Sequence, residues 1–206
     1  SKPVAEGESF GSGVAGACDL DGDGTPEVIV STCQRRNGYV YFGGGRTFGT
    51  PAVVPISTTS LGCPRSSALT CAGDVNGDGI DDLLVGDFGY AGVASFTGQV
   101  SLYFGGSTAD SLNLTADSVI NGSNNNEFST NDYGSNAIGL GDINKDGFDD
   151  IVFTGSKCVS DQYVYTGSST GLSTALNGYF LKYIHAAICD ADQMASLPPA
   201  NSCLPN

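Results

Sequence analysis

Three apolar runs, Val28-Ile29-Val30, Leu83-Leu84-Val85 and Ile151-Val152-Phe153, punctuate a chain otherwise rich in glycine and polar residues. Their residues are β-branched, aliphatic and aromatic, and each run reads as a short buried strand. Ahead of each lies a stretch of small residues: Ser9 to Cys18, Ser67 to Ala72, and the segment opening on Tyr133-Gly134-Ser135. Small residues in a strand mark a crowded place where backbones approach closely. Behind each lies another strand pattern, Tyr39-Val40-Tyr41-Phe42, Val100-Ser101-Leu102-Tyr103-Phe104 and Tyr163-Val164-Tyr165. These are closed by Gly43-Gly44-Gly45, Gly105-Gly106 and Thr166-Gly167-Ser168. A fourth strand is expected over Pro51 to Ile56, over Ser118-Val119-Ile120 and within Leu176 to Tyr183. The two prolines of the first argue for a sheet edge.

The unit recurs at a fixed period. Tyr41 to Tyr103 is 62 residues, and Tyr103 to Tyr165 is 62 again. Four short strands repeated at such a spacing are a propeller blade, which has a face it cannot bury alone and must stack on neighbours. The expected fold is all-β: one β-propeller-like repeat domain over 1–206, with four-stranded antiparallel blades at about 9–57, 64–121 and 132–183. A partial fourth blade or tail comes after them at 184–206. There, Ala186 to Asp192 resembles Val14 to Asp21 before Gln193 and Met194 break the pattern.

Between the first two strands of each unit lies a nine-residue acidic stretch. The copies are Asp19-Leu20-Asp21-Gly22-Asp23-Gly24-Thr25-Pro26-Glu27, Asp74-Val75-Asn76-Gly77-Asp78-Gly79-Ile80-Asp81-Asp82 and Asp142-Ile143-Asn144-Lys145-Asp146-Gly147-Phe148-Asp149-Asp150. Oxygen-bearing side chains stand at positions 1, 3, 5 and 9, and position 6 is always glycine. A hard cation such as calcium takes six to eight oxygens at roughly 2.3–2.6 Å. Side chains at 1, 3 and 5 of a tightly curled loop can point inward together, position 7 can offer its carbonyl, and glycine at 6 permits the bend. A single such stretch is in a minority of cases no more than an acidic turn; three, each entering a strand, read as ion cages. An EF-hand would need a glutamate at position 12 and a following helix. Position 12 here is Val30, Val85 and Phe153, so the loop joins two strands.

Charge sharpens this reading. The 206 residues carry 22 acidic and only 8 basic side chains, for a formal charge of −14. Ten of the acids sit at cage positions, so three bound divalent ions would bring the charge to −8. Without ions each cluster repels itself. Nucleic acid is excluded as a partner, because phosphate contacts need clustered lysine and arginine. No apolar run approaches the roughly 18 residues of a membrane span.

Cys18, Cys33, Cys63, Cys71, Cys158, Cys189 and Cys203 form no CxxC pair. With one histidine they make no zinc-finger set. They point to an oxidising compartment with some disulfides. Cys18 and Cys71 read equally as small buried residues, and Cys33 with Cys63 is the first pairing expected. An odd count leaves at least one thiol free or bonded to another chain. Asn113-Leu114-Thr115 and Asn121-Gly122-Ser123 fit the glycosylation sequon. No leader is visible and residue 1 is serine, as in a processed or trimmed chain.

Strand, cage and strand three times over, closed twice by Tyr-Phe-Gly-Gly and once by Tyr165-Thr166-Gly167-Ser168, resemble the FG-GAP repeats of integrin α-subunit β-propellers and their bacterial relatives. The resemblance covers roughly residues 9–168. Phe10-Gly11 and Tyr133-Gly134 fit the Phe-Gly element, whereas the second copy has Arg65-Ser66 there. The resemblance implies about three calcium ions. The first would be held by Asp19, Asp21, Asp23, the Thr25 carbonyl and Glu27, and the second by Asp74, Asn76, Asp78, the Ile80 carbonyl and Asp82. The third would be held by Asp142, Asn144, Asp146, the Phe148 carbonyl and Asp150. Glu27 stands where the family usually has aspartate, which implies a wider or differently coordinated first cage. Family propellers usually have seven blades, so three and a fragment imply an incomplete ring or open array. Part of a longer chain, copies that combine into a homo-oligomer, or an open stack all fit.

Several function classes can be weighed on these residues. No GxSxG elbow or HExxH is present, and the only histidine is His185 in the tail, so no enzyme is expected. The resemblance implies extracellular adhesion, secreted or at the cell surface, with protein partners on a calcium-stiffened scaffold. Two alternatives remain open. Incomplete blades can assemble head to tail into a fibre or coat, because such a contact closes into a ring or runs on as a filament. A lectin-like propeller can stack glycans on Tyr39, Tyr41, Tyr90, Tyr103, Tyr163 or Tyr165, although the chain has no tryptophan.

Overall fold

A computed structural model describes residues 10–32, 37–44, 51–55, 69–87, 98–106, 115–121, 136–154, 162–172 and 175–176. All regular structure among them is strand. The first sheet is β1 (Phe10–Cys18), β2 (Glu27–Thr32), β3 (Asn37–Tyr41) and β4 (Ala52–Pro55). The second is β5 (Leu69–Gly73), β6 (Asp82–Asp87), β7 (Gln99–Tyr103) and β8 (Ser118–Asn121). The third is β9 (Ala137–Gly141), β10 (Asp150–Thr154), β11 (Gln162–Tyr165) and β12 (Ala175–Leu176). In each sheet the strands lie in chain order and every neighbouring pair is antiparallel. The expected all-β, four-stranded blades are therefore present. The remainder of the edge strand expected within Leu176 to Tyr183 lies outside the described residues, as does the partial fourth blade.

The sheets stack through their first strands, with β5 against β1 on one side and against β9 on the other. Two apolar seams result. In the first, Cys18, Leu20, Ile29, Val40 and Val54 meet Leu69, Leu83, Val85 and Tyr103. In the second, Ala72, Val75, Leu84, Val100 and Leu102 meet Ala137, Ile151 and Phe153, flanked by Tyr163 and Tyr165. Side chains alternate along a strand, so Leu83 and Val85 face one seam and Leu84 the other. A sheet covered on both sides needs an unbroken apolar run, and this is why β6 shows no polar alternation. Phe153 stacks on Tyr163 and Tyr165, with centroids 5.5 and 5.4 Å away and planes 20° apart.

The small residues ahead of each loop have their expected use. A Cβ on Gly139 of β9 would come within 2.4 Å of the Ala72 carbonyl of β5, so this approach excludes any side chain. The same closeness brings the Cα atoms of Cys18 and Cys71 to 5.4 Å, and the two are joined by a disulfide across the first seam. The alternative of two buried thiols is thereby corrected. The other five cysteines, including the pairing expected between Cys33 and Cys63, lie outside the described residues.

Candidate metal centre

Each acidic loop is wound by its own side chains. The position 1 carboxylate accepts the N–H groups of positions 5 and 6: Asp19 from Asp23 at 3.0 Å and Gly24 at 2.8 Å. Asp74 takes Asp78 at 3.0 Å and Gly79 at 2.8 Å, and Asp142 takes Asp146 at 3.1 Å and Gly147 at 2.9 Å. Position 3 accepts the N–H of position 5, with Asp21, Asn76 and Asn144 at 3.2, 2.9 and 2.8 Å from Asp23, Asp78 and Asp146. Position 5 in turn accepts the N–H of Thr25, Ile80 and Phe148 at 2.8, 2.9 and 3.0 Å. These turns draw the oxygens of positions 1, 3 and 5 to the inside of one curl.

Two residues per loop adopt positive φ. Position 6 does so at 83°, 87° and 94° in Gly24, Gly79 and Gly147. Position 4 does so at 69° and 76° in Gly22 and Gly77, and at 64° in Lys145, where a side chain must tolerate the left-handed region.

Position 9 does more than the motif signalled. Glu27, Asp82 and Asp150 are buried and clamp two parts of their own blade. Each accepts the N–H of position 2: Leu20 at 2.5 Å, Val75 at 3.0 Å and Ile143 at 3.0 Å. Each also accepts the N–H of a glycine just past the third strand: Gly43 at 3.3 Å, Gly105 at 2.9 Å and Gly167 at 3.1 Å. The recurrence of that glycine is thus tied to the loop. Burial pushes the Asp82 carboxyl up to about 7, against the lowering effect of its bonds from Gly105 and Val75. Burial likewise raises Glu27, whose longer side chain still reaches the two equivalent donors.

The donor set suits a hard cation. In the first loop, carboxylate oxygens of Asp19, Asp21 and Glu27 lie within 4.8 Å of one another. Asp23 stands outside that trio. Among the described residues Lys145 is the only lysine or arginine, so no described cation of the chain balances this charge. Oxygen-only ligands crowded without a counter-charge are what calcium binds. A second close group, Cys18, Cys71 and Asp81, is no ligand set, because the disulfide occupies both sulfurs.

Position 8 has a role the sequence pattern did not reveal. Asp81 and Asp149 reach across the seams to position 1 of the preceding loop. The Asp81 carboxylate accepts the Asp19 N–H at 2.8 Å, and the Asp81 N–H donates to the Asp19 carbonyl at 3.1 Å. Asp149 repeats both bonds with Asp74, at 3.0 and 2.9 Å. In the first loop position 8 is Pro26, which has neither the N–H nor the carboxylate. Position 2 is the apolar plug of the same seam: Leu20 and Val75 are 1% and 0% exposed beneath the next blade, whereas Ile143 is 49% exposed.

Comparison with known families gives two matches. Residues 19–85 match the FG-GAP-like repeat, and residues 68–103 match the FG-GAP repeat. Together they run from the first loop through β7 of the second sheet. The third sheet lies beyond both matches, yet its loop is wound by the same set of bonds.

Proposed function

Because the chain carries FG-GAP repeats, we propose that it is a non-catalytic, calcium-stiffened extracellular scaffold for protein–protein recognition. The observation that carries the calcium reading is the curl of each loop. Asp19, Asp21, Asp23, Thr25 and Glu27 would hold one ion, and Asp74, Asn76, Asp78, Ile80 and Asp82 a second. Asp142, Asn144, Asp146, Phe148 and Asp150 would hold a third. The inward turns at positions 1, 3 and 5 and the crowded trio of Asp19, Asp21 and Glu27 support this assignment. The ion supplies charge balance and stiffness; the chain's own residues orient the oxygens and exclude water from position 9. The disulfide between Cys18 and Cys71 supports an oxidising location, where FG-GAP proteins are found. Tyr39 and Tyr103 are buried, which favours packing over sugar stacking for these two.

Equilibrium dialysis against calcium tests this reading, with about three ions per chain expected. Chelation should lower the melting temperature by about 5–10 °C per site when calcium stood at a hundredfold excess over Kd. A chain that binds no calcium at millimolar concentration, with an unchanged melting temperature, would end it.

A second reading, head-to-tail assembly, is favoured by Ile143 of the third loop and Ile138 of β9, which are 49% and 52% exposed. Light scattering in calcium tests it: a particle mass that grows with concentration is expected, and a constant monomer mass would overturn it.

A further inference from the structure

We propose that Asp81 and Asp149 link the calcium sites into a series, so that filling one loop organises the first ligand of the loop before it. This rests on the calcium reading above. Neither residue is placed as a ligand; both are positioning residues. Position 8 sits between two ligand positions of its own loop, Ile80 and Asp82 around Asp81, Phe148 and Asp150 around Asp149. An ion that fixes positions 7 and 9 therefore fixes position 8. Position 8 then holds both backbone polar groups of position 1 in the preceding loop, through the paired bonds of Asp81 with Asp19 and of Asp149 with Asp74. Position 1 is the residue whose carboxylate winds that loop, by accepting from positions 5 and 6.

The surroundings are shaped for this contact. Gly73 has a φ of 82°, and a Cβ there would stand 2.0 Å from the Asp149 carboxylate, so glycine leaves the carboxylate its place. Gly105 and Gly167 pack the following turn onto the carbonyls of Asp81 and Leu20 and of Asp149 and Val75. Gly106 donates to the Leu20 carbonyl at 3.0 Å. The link is directional in build, from third loop to second to first, because Pro26 ends it. Its energetic effect is reciprocal, since coupling between two bound ligands must be equal both ways. Among the described residues, the second site is coupled on both sides, and the first and third on one.

The test is a calcium titration of the full chain followed by proton–nitrogen NMR. The amides of Gly24, Gly79 and Gly147 each report one loop, because each is bonded to its own position 1 carboxylate. Removing a third-loop ligand with Asp146→Ala should weaken calcium binding at Gly79 about tenfold, within the usual range of coupling between sites. In the Asp149→Ala background the same change should weaken it by less than about twofold. Asp149→Asn, which keeps an acceptor oxygen, should restore most of the coupling. If Asp149→Ala does not fold, the cycle is run with Asp149→Asn and Asp149→Ser, and a graded loss of coupling is expected. A Gly79 response unchanged by Asp146→Ala, or changed equally in every Asp149 background, overturns the proposal while leaving three independent calcium sites standing. A wild-type chain in which no glycine amide responds to calcium overturns the calcium reading itself.

Discussion

A Cβ placed on Gly73 would stand 2.0 Å from Oδ2 of Asp149, a residue of the next blade. Gly141 holds the corresponding place in the third blade at a φ of 72°, with nothing within 4 Å of its Cβ position. The two glycines therefore separate backbone strain from steric displacement. Gly141→Ala should cost about 1–2 kcal/mol, the penalty of the left-handed region alone. Gly73→Ala should cost a further 1–3 kcal/mol or so, because Asp149 is pushed off the Asp74 N–H. Urea unfolding of the two variants checks this, and equal losses would show that Asp149 simply moves aside.

Lys145 occupies a backbone region that Gly22 and Gly77 fill at the same position of the other loops. Lys145→Gly should relieve about 1 kcal/mol of that strain. Calorimetry should show a melting temperature raised by about 2–4 °C, and a lowered one would contradict the strain argument.

Proton linkage gives a third expectation. The Asp82 carboxyl is pushed up to about 7 by burial, while in the unfolded chain it ionises near the ordinary aspartate value of about 3.9. The metal-free native state therefore favours the protonated form. Its contribution is fully present below about pH 4 and is lost as pH rises through about 7. Glu27 and Asp81 shift in the same direction, also mainly by burial. In metal-free buffer the melting temperature should fall between pH 5 and pH 8. Calcium needs the ionised carboxylate, so the rise it produces should be larger at pH 8 than at pH 5. Scanning calorimetry at both pH values decides; a metal-free melting temperature that climbs with pH would contradict the assignment.

Opening the first seam chemically gives a fourth. Cys18 and Cys71 close a 53-residue separation. Replacing both by alanine should lower stability by about 2–4 kcal/mol. Guanidinium unfolding of the variant beside the parent chain measures it, and a loss under about 0.5 kcal/mol would mean that the seam holds equally well without the bond.

The strands were legible because every blade repeats the same apolar runs, and the loops because positions 1, 3, 5, 6 and 9 each demand one kind of residue. Asp81 and Asp149 were not legible. Their partners are backbone atoms, which leave no trace in residue type, and Pro26 breaks the recurrence at that position. Gly73, just ahead of Asp74, was the one available signal for Asp149, since a side chain there would displace that carboxylate; Cys18 holds the same place ahead of Asp19 and gives no such sign for Asp81. The pairing of Cys18 with Cys71 depends on how two sheets sit together, and no spacing within either sheet encodes it. The second duty of Glu27, Asp82 and Asp150 escaped for a similar reason. A carboxylate read as a ligand gives no hint that it also holds two amides.

The bond between Cys18 and Cys71 also bears on mechanical load. Pulled from its two ends, the chain cannot release the segment between these cysteines, which withholds about 180 Å of contour length from 53 residues. Tension then runs through the sulfurs and bypasses the intervening backbone. Only the stretches before Cys18 and beyond Cys71 can lengthen until that bond is reduced.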